Sequence, residues 1–373
     1  MSKCDGFFEE QREHSRIKSD LIVKYFTAWA NVMLSERRRQ NGPTQRICYV
    51  DLFAGQGVYD DGSISTPLLV ARAVADTPRL AASVALVFND KDATNVERLS
   101  HQLEGMPGHA SLRHRPLVFN FGIAGATPAA IQRQRTGPTL TFIDPFGYKG
   151  LSQGLLQDGV RGWGCDCLFF FNYNRINAAL PNPTVRERVD DLFGPEIAAD
   201  LRRRIDRLSP HAREEAILDG LAMSLRNSPH GEVLSHSFRI KDTEGRTQHF
   251  IVGATKHFLG LRIFKDIMGR ASSSNDDGIP SYTYDPSAER LQLKLALADP
   301  FGTLRRDLWA RYAGRTLTFH EMVADHWVGR PYQEVHYRRS LEELTREGAV
   351  AIIARGSGGK ILDTSRVRFV GEP

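Results

Sequence analysis

The residues of this chain that could do chemistry lie at the ends of predicted strands. The strongest candidate is Asp144, which follows the apolar run 140–143 and opens the segment 144–148. A carboxylate and a backbone carbonyl can accept both hydrogens of an exocyclic amino group, while an aromatic side chain stacks on the attached ring. That arrangement aligns a nitrogen lone pair for attack by positioning alone. We therefore predict that Asp144 holds an amine and that Phe146 or Tyr148 stacks on its ring; the alternative is a turn in which Asp144 only caps the next helix.

A glycine-rich turn follows an earlier predicted strand. Strand 47–51 ends in Asp51, and Phe53, Gly55 and Gly57 come directly after it. Because glycine has no Cβ, a nucleotide can approach such a turn closely. The pattern predicts a nucleotide site, although glycines of this kind could also simply close a turn.

The next helix start and strand end would contribute to the same site. Thr66 is a suitable N-cap for a helix with Pro67 in its first position, and the free N–H groups of that helix could face an anionic ligand. Asp90 follows the strand 83–88, where nucleotide-binding sheets hold ribose hydroxyls. Asp90 could instead cap the helix 92–103.

Two later strands also end in polar and aromatic residues. Asn120 and Phe121 follow the strand 116–119, and they could read and cover an adenine ring or merely end the strand. The strand 168–171 ends in the polar segment 172–174, which would face the same ligand-binding cleft at the carboxyl ends of the strands.

A helix is predicted in the amino-terminal residues 1–40. Its apolar positions recur at steps of three and four residues: Ile17, Leu21, Tyr25, Ala28, Trp29 and Val32. Lys18 and Lys24 lie beside this face. Either the helix packs on the domain with its lysines in water, or Lys24 and Tyr25 reach an acidic ligand.

The elements that must position these residues form an α/β pattern. Residues 46–175 alternate strand and helix, as in a parallel sheet with helices on both faces. Residues 180–232 interrupt the sheet with helices predicted at 184–207 and 211–227. A hairpin over 234–254 would then complete the sheet, followed by a helix at 256–268.

The carboxyl-terminal part has a different pattern. Residues 271–286 contain a run rich in Ser, Asn and Asp that predicts a flexible linker. Residues 287–373 then suggest a winged-helix-like module. Its predicted elements are helices at 287–298, 317–326 with a capping box at Thr318 and Glu321, and 332–347, and strands at 349–354 and 361–370. The last helix mixes arginines with glutamates, which favours protein docking or dimerisation over DNA reading.

Composition limits the class of protein. The 373 residues are 41% hydrophobic and 25% charged with a net charge of +5, which permits a nucleic-acid partner without requiring one. Four cysteines without metal-ligand spacing predict reduced thiols and no metal site. We find no membrane span or signal-peptide pattern, so we expect a cytoplasmic protein with no membrane partner.

Taken together, the segments 51–57 and 144–147 and the residue Asp90 resemble those of class I S-adenosylmethionine-dependent methyltransferases. With the helix that carries Lys18, Lys24 and Tyr25, and with the carboxyl-terminal region, most of the chain resembles the three-Cys-motif partner protein (TcmP) family. That family is named for a neighbouring protein with a three-cysteine, radical-SAM-like motif. Residues 15–150 are more distantly similar to RlmJ-type adenine-N6 methyltransferases of ribosomal RNA.

The resemblance implies a cofactor, a site and partners. The cofactor would be S-adenosylmethionine, and Asp144 would be catalytic, together with Phe146 or Tyr148. The cofactor site would be lined by Lys24, Tyr25, Asp51, Phe53, Gly55, Gly57, Thr66, Asp90, Asn120 and Phe121. The substrate would be a nucleic acid, and the partner protein would be the three-Cys-motif radical-SAM-like protein.

One position departs from the motif of amino-methyltransferases. That motif reads Asp or Asn, Pro, Pro, aromatic, whereas here Phe146 replaces the second proline and Gly147 follows it. The carbonyl that would accept the second amine hydrogen remains, but the stacking ring must come from Phe146 or Tyr148. The altered motif also fits an accessory subunit that binds S-adenosylmethionine without transferring its methyl group.

The sequence thus predicts a Rossmann-like class I methyltransferase sheet with a helical insertion and a carboxyl-terminal winged-helix-like module. The expected divisions are an amino-terminal helical segment, a methyltransferase-like domain, a linker and the module: 1–45, 46–270, 271–286 and 287–373. The expected activity is methyl transfer to an amino nitrogen of a nucleic-acid base.

Overall fold

The computed structural model describes residues 3–39, 46–59, 61–145, 147, 150–276, 278–286 and 299–370. The chain divides into two compact units, Met1–Ile267 and Met268–Pro373. Within these described ranges, no helix is both long enough and apolar enough to cross a membrane.

A large, mostly parallel sheet forms the centre of the first unit. Its strands are β1 (Ile47–Asp51), β2 (Val84–Asn89), β3 (Leu117–Phe119), β4 (Thr139–Ile143), β5 (Asp166–Phe171), β8 (Leu234–Lys241) and β9 (Thr247–Thr255). The short strands β6 (Asn227–Ser228) and β7 (Gly231–Glu232) pair with each other in a separate sheet. Seven strands lie in the order β3-β2-β1-β4-β5-β9-β8. The first five are parallel, and β9 runs antiparallel to β5 and β8. This mixed α/β sheet is consistent with the Rossmann-like methyltransferase fold that the sequence predicts, and the predicted hairpin is confirmed.

Helices of the first unit connect and cover these strands. They are α1 (Lys3–Arg39), α2 (Thr66–Ala75), α3 (Pro78–Ala81), α4 (Ala93–Gly105), α5 (Ala129–Gln132), α6 (Gln153–Gly159), α7 (Tyr173–Ala179), α8 (Arg186–Phe193), α9 (Pro195–Arg204), α10 (Pro210–Arg226) and α11 (Phe258–Arg270). Every residue of β1 and β2 is buried. Strands covered on both faces are apolar throughout, which explains the continuous hydrophobic runs in the sequence.

The insertion between β5 and β8 contains more helices than the sequence predicts. The prediction of one helix over 184–207 is wrong, because Gly194 adopts φ 81° and ψ 148° and separates α8 from α9. Pro195 then occupies the first turn of α9, where a missing N–H costs nothing. The helix α7 was not predicted. Asn172 caps it, and Tyr173, its first residue, is buried in the hydrophobic core.

In its described residues, the second unit contains three helices and a small antiparallel sheet. Its elements are β10 (Asn275–Asp276), β11 (Ile279–Pro280), β12 (Thr283–Tyr284), α12 (Pro300–Tyr312), β13 (Thr316–Thr318), α13 (Phe319–His326), α14 (Glu334–Arg346), β14 (Val350–Ile353) and β15 (Arg366–Phe369). β15 lies between β13 and β14 and is antiparallel to both. The predicted capping box of Thr318 and Glu321 is confirmed.

The predicted linker and the first predicted helix of this unit compare differently with the structure. The segment 271–286 is not a plain linker, because β10 and β11 pair antiparallel within it, with Asn275 opposite Pro280. The helix predicted at 287–298 lies outside the described residues. The sequence did not predict α12 or β13.

A close approach between β9 and α11 gives a test of the packing of the first unit. A Cβ added at Gly253 would lie 2.4 Å from the ring of Phe264. We expect Gly253→Ala to lower the free energy of unfolding by about 1–3 kcal/mol, the usual cost of overpacking. The measurement is urea denaturation followed by circular dichroism.

The matched control for this test is Gly105→Ala. Gly105 lies in α4, and a Cβ there would meet nothing within 4 Å. Alanine favours helix over glycine by up to about 1 kcal/mol, so this variant should be as stable as the wild type or more so. Equal stability of the two variants would contradict the packing that we describe for β9 and α11.

Candidate functional site

Three carboxylates come together at one edge of the sheet. Asp51 ends β1, Asp90 follows β2 and Asp144 follows β4. These strands are parallel neighbours in the order β4-β1-β2, so their carboxyl ends meet at the same edge. In open α/β sheets, ligands bind outside this edge. The structure therefore brings together the three acidic residues that the sequence singled out.

Asp90 ties the glycine turn to the start of α4. Its Oδ2 accepts a hydrogen bond from the Gly55 N–H (2.9 Å), and its Oδ1 accepts from the Asp92 N–H (2.9 Å) and from Asn95 Nδ2 (3.2 Å). The N-cap of α4 is Asp92, which accepts from the Thr94 N–H. The alternative prediction, in which Asp90 caps this helix, is therefore wrong.

The turn itself is open on one side and closely packed on the other. Gly55 has φ 68° and Gly57 has φ 91°, conformations that favour glycine. A Cβ at Gly55 would meet nothing within 4 Å, whereas a Cβ at Gly57 would lie 3.1 Å from Leu99 and 3.2 Å from Leu68. Gly57 therefore serves packing, and Gly55 leaves the backbone accessible to a ligand.

A buried amide holds the backbone at this edge in place. Asn89 donates through Nδ2 to the carbonyls of Leu52 (3.0 Å) and Phe121 (3.1 Å), and its Oδ1 accepts from the Phe121 N–H (3.0 Å). The Phe121 ring stacks on Phe119 and is 37% exposed. Asn120 Nδ2 donates to the Asp90 carbonyl (2.9 Å). Both predicted residues after β3 therefore lie at the site, and Asn89 positions them although the sequence analysis gave it no role.

Asp51 is the most deeply buried of the three carboxylates. It is 1% exposed, and its Oδ1 accepts a hydrogen bond from the Phe53 N–H (3.1 Å). Burial raises the pKa of Asp51 to about 8, which outweighs the opposing effect of the Phe53 hydrogen bond. At neutral pH, Asp51 is therefore largely protonated and uncharged.

Asp144 forms an ion pair with Lys18 of α1. The ammonium Nζ of Lys18 donates to Asp144 Oδ2, and it also lies 4.9 Å from the centroid of the Phe170 ring near the end of β5. Burial acts to lower the pKa of Lys18, but attraction to Asp144, Tyr59 and Asp51 outweighs it and raises that pKa. Lys18 is therefore a cation held inside an acidic and aromatic pocket.

Lys18 is the main residue of the site that sequence reasoning missed. The signal was its spacing, because Lys18 precedes Leu21, Ile22 and Tyr25 by three, four and seven residues. These spacings place a lysine on the buried face of the helix. Leu21, Ile22 and Tyr25 are all 2% exposed or less.

The structure does not bring Lys24 and Tyr25 to this site. Lys24 is exposed on α1. The Tyr25 hydroxyl donates to Asp166 Oδ2 (2.8 Å), and Asp166 begins β5, at the opposite edge of the sheet. The helix runs from one edge of the sheet to the other, so Lys18 and Tyr25 serve different edges.

Thr66 lies at the predicted edge but in another role. The N-cap of α2 is Ser65, and Thr66 is the first helical residue. The Thr66 hydroxyl is 2.9 Å from the hydroxyl of Ser19 in α1, and Thr66 is buried. Thr66 therefore fixes α1 beside the glycine turn, and the prediction that it caps the helix is wrong.

The segment after Asp144 is described only in part. Phe146 and Tyr148 lie outside the described residues. Gly147 has φ 84°, and a Cβ there would lie 3.1 Å from Arg175 Cδ. A Cβ at Gly150 would lie 3.1 Å from the Phe53 ring, so Phe53 packs against the end of this segment.

A cavity of about 770 Å³ opens at the opposite edge of the sheet. Its lining includes Trp29, Trp163, Asp166 and Lys256. Burial raises the pKa of Asp166 to about 6, and Lys256 Nζ donates to the Gly162 carbonyl. The three carboxylates of the candidate site lie at the other ends of the strands, so this cavity is separate from them.

Comparisons with known proteins give only weak likenesses. No family model and no curated protein matches the chain. Among solved structures, the methyltransferase domain of a bacterial Hen1 protein aligns at 10% identity over 64% of this chain and 100% of that chain, with a TM-score of 0.33. The glycopeptide N-methyltransferase MtfA, complexed with S-adenosylmethionine, aligns at 14% identity over 59% of this chain and 86% of that chain, with a TM-score of 0.29.

A third solved structure has a different description. A protein described as a Zn-dependent alcohol dehydrogenase from Rhodobacter sphaeroides aligns at 12% identity over 65% of this chain and 99% of that chain, with a TM-score of 0.28. At TM-scores this low, these likenesses carry no argument about the function of the chain. The resemblance to the TcmP and RlmJ-type families stays a prediction.

The burial of Asp51 generates a testable dependence of stability on pH. The unfolded chain releases the Asp51 proton near the ordinary pKa of 3.8, whereas the folded protein holds it up to about 8. The stability from this group is thus full below pH 3.8 and is lost as the pH rises through 8. Asp51→Asn cannot ionise, so its free energy of unfolding relative to wild type should rise by up to about 1.4 kcal/mol per pH unit between roughly pH 5 and 8. Urea denaturation across this range measures the difference, and a constant difference would refute the assignment.

Proposed function

We propose that the chain is an S-adenosylmethionine-dependent methyltransferase that acts on an amino nitrogen of a nucleic-acid base. The observation that carries this proposal is the meeting of the open glycine turn, Asp90 and Asp144 at the carboxyl edge of a parallel sheet. A Rossmann-like sheet with these features supports, first, a protein that binds a nucleotide. Nucleotide-binding proteins of this kind catalyse several reactions. A carboxylate at Asp144 that can hold an amine favours methyl transfer to nitrogen over the others.

The residues of the turn fit the nucleoside part of this cofactor. Gly55 leaves its side of the backbone open, and Asp90 Oδ2 carries a single hydrogen bond, from Gly55, within the described part of the chain. A carboxylate oxygen can accept a second hydrogen bond, so Asp90 can hold a ribose hydroxyl. Phe121 is partly exposed, and its ring would cover the adenine.

Asp144 would position the acceptor nitrogen. Its carboxylate and the carbonyl of Pro145 would accept the two amine hydrogens, which directs the nitrogen lone pair away from Asp144. S-adenosylmethionine, when bound, would supply the methyl group from its sulfonium: the nitrogen–carbon bond would form as the sulfur–carbon bond breaks, S-adenosylhomocysteine would leave, and the amine proton would pass to water. No strong general base is required of the protein.

We propose that the second unit is a winged-helix-like module that docks a protein partner. Its order of helices and strands agrees with that of a winged helix. On α14, Arg338 pairs with Glu334 (2.9 Å) and Asp363 (3.0 Å), and Arg339 pairs with Glu343 (3.3 Å). Arginines already neutralised by carboxylates attract phosphates poorly, so a protein partner or a second copy is favoured over DNA.

The ion pair of Asp144 supports a second candidate function. Lys18 already occupies the carboxylate oxygen Oδ2 that would otherwise be available to an amine. A chain with its catalytic carboxylate occupied could act as a cofactor-binding accessory subunit of a three-Cys-motif radical-SAM-like protein. This second candidate predicts cofactor binding without methyl transfer.

Cofactor binding is tested first by titration calorimetry with S-adenosylmethionine. We expect Gly55→Ala to weaken binding by about tenfold or more, because the added Cβ enters the space left for the ligand. The control is Gly245→Ala, which carries the same backbone strain at φ 78° and also meets nothing within 4 Å, but lies in the β8–β9 hairpin. Equal binding by the two variants would remove the turn from the cofactor site.

Methyl transfer is tested with tritiated S-adenosylmethionine on DNA, ribosomal RNA, transfer RNA and total protein. Asp144→Ala should lower the rate at least about 100-fold, since an acceptor amine that is no longer held loses its alignment. The control Asp158→Ala removes a carboxylate that pairs with Arg135 (3.0 Å) away from the site, and it should retain activity. Binding of S-adenosylmethionine with no transfer to any acceptor would favour the accessory subunit.

A further inference from the structure

We infer that Lys18 exchanges partners when the cofactor binds, leaving Asp144 for the carboxylate at the amino-acid end of S-adenosylmethionine. This inference rests on the proposed function and goes beyond it, since it assigns Lys18 a role in both binding and timing. In the structure, Lys18 pairs with Asp144. With the cofactor in place, Lys18 holds the cofactor, and Asp144 becomes available to the acceptor amine.

The position of Lys18 supports this role. Its ammonium reaches Asp144 after β4, interacts with Asp51 at the end of β1 and lies over Phe170 of β5. It therefore stands beside the strand end from which the glycine turn departs. A zwitterionic ligand whose nucleoside part lies on Gly55 and Asp90 would bring its charged end to this region of the edge.

The charges of the pocket favour an incoming carboxylate at Lys18. Asp51 is largely protonated at neutral pH because burial raises its pKa, so it does not repel a second anion strongly. Lys18 itself stays charged, because burial acts to lower its pKa but the net direction is upward, and Asp144 is the largest of the opposing effects. An ammonium held near a partly buried carboxylate can exchange that partner for another carboxylate at small cost, whereas it could not be left unpaired.

The helix that carries Lys18 is fixed, so only the side chain needs to move. Ser19 contacts Thr66, Ile22 is fully buried, and Trp29 Nε1 donates to the Gly164 carbonyl (3.2 Å). Lysine has a flexible stem of four carbons, which allows its ammonium to turn between neighbouring acceptors. The exchange therefore requires no rearrangement of the fold.

The exchange would also order the two binding events. While Lys18 occupies Asp144 Oδ2, an acceptor amine must compete with an ammonium that is part of the same chain. Once the cofactor carboxylate takes Lys18, that competition ends and Asp144 can accept the amine hydrogens. The cofactor would therefore bind before the acceptor.

The test compares two ligands that differ in the amino-acid end. S-adenosylhomocysteine carries the carboxylate, and 5′-methylthioadenosine lacks the amino-acid end. In titration calorimetry, Lys18→Met should lower the affinity for S-adenosylhomocysteine about 10- to 100-fold and should change the affinity for 5′-methylthioadenosine less than about threefold. Arg16→Met, which removes an exposed cation of the same helix, should leave both affinities unchanged.

A variant of Asp144, the present partner of Lys18, should change the affinity in the opposite direction. Asp144→Asn frees Lys18 from its ion pair, so the affinity for S-adenosylhomocysteine should rise about threefold or more, because Lys18 is no longer held by Asp144. The gain should vanish in the double variant with Lys18→Met. If Lys18→Met lowers the affinity for both ligands equally, or for neither, the proposed exchange of partners is wrong, although the proposed cofactor site is not affected. If the wild type binds neither ligand, the proposed function fails as well.

Discussion

The parallel alignment of β4, β1 and β2 is the constraint on which the site depends. Strands that run the same way must end at the same edge, and each of these three ends in or before an aspartate. Three carboxylates so close together would repel one another if all were ionised. The protein reduces this repulsion by burying Asp51 until it holds its proton and by placing Lys18 on Asp144. The open turn and Asp90 can then face a ligand.

Helix geometry decides which residues of α1 take part. An α-helix rises 1.5 Å per residue, so the seven residues from Lys18 to Tyr25 span about 10 Å. That distance carries the helix from the carboxyl edge, where Lys18 meets Asp144, to the amino edge, where Tyr25 meets Asp166. Lys24, one residue earlier, faces solvent. A motif on a long helix thus serves one edge or the other according to small differences in position.

The sequence predicted the strands and the acidic edge because those features are local. A buried strand followed by aspartate and glycine has a periodicity and a composition that can be read directly, and β1, β4 and the β8–β9 hairpin are where they were expected. The roles of Lys18 and Asn89 depend on distant partners, which are the Asp144 carboxylate for Lys18 and the backbone of Leu52 and Phe121 for Asn89. The spacing of Lys18 indicates that it is buried, but no local pattern identifies these partners. The break at Gly194 did have a local signal, because Gly194 followed by Pro195 is typical of the end of one helix and the start of the next, but the predicted helix was continued across it.

The long first helix changes where the domain that the sequence predicts at residues 46–270 begins. A boundary at residue 46 would divide a set of aromatic rings in which Phe26 contacts Tyr49 at 5.3 Å, and Tyr49 contacts Phe88 at 6.2 Å, between ring centroids. Phe26 and Tyr49 are fully buried. The helix therefore belongs to the first unit and covers its sheet, and a shortened protein that starts at β1 would lose this cover together with Lys18.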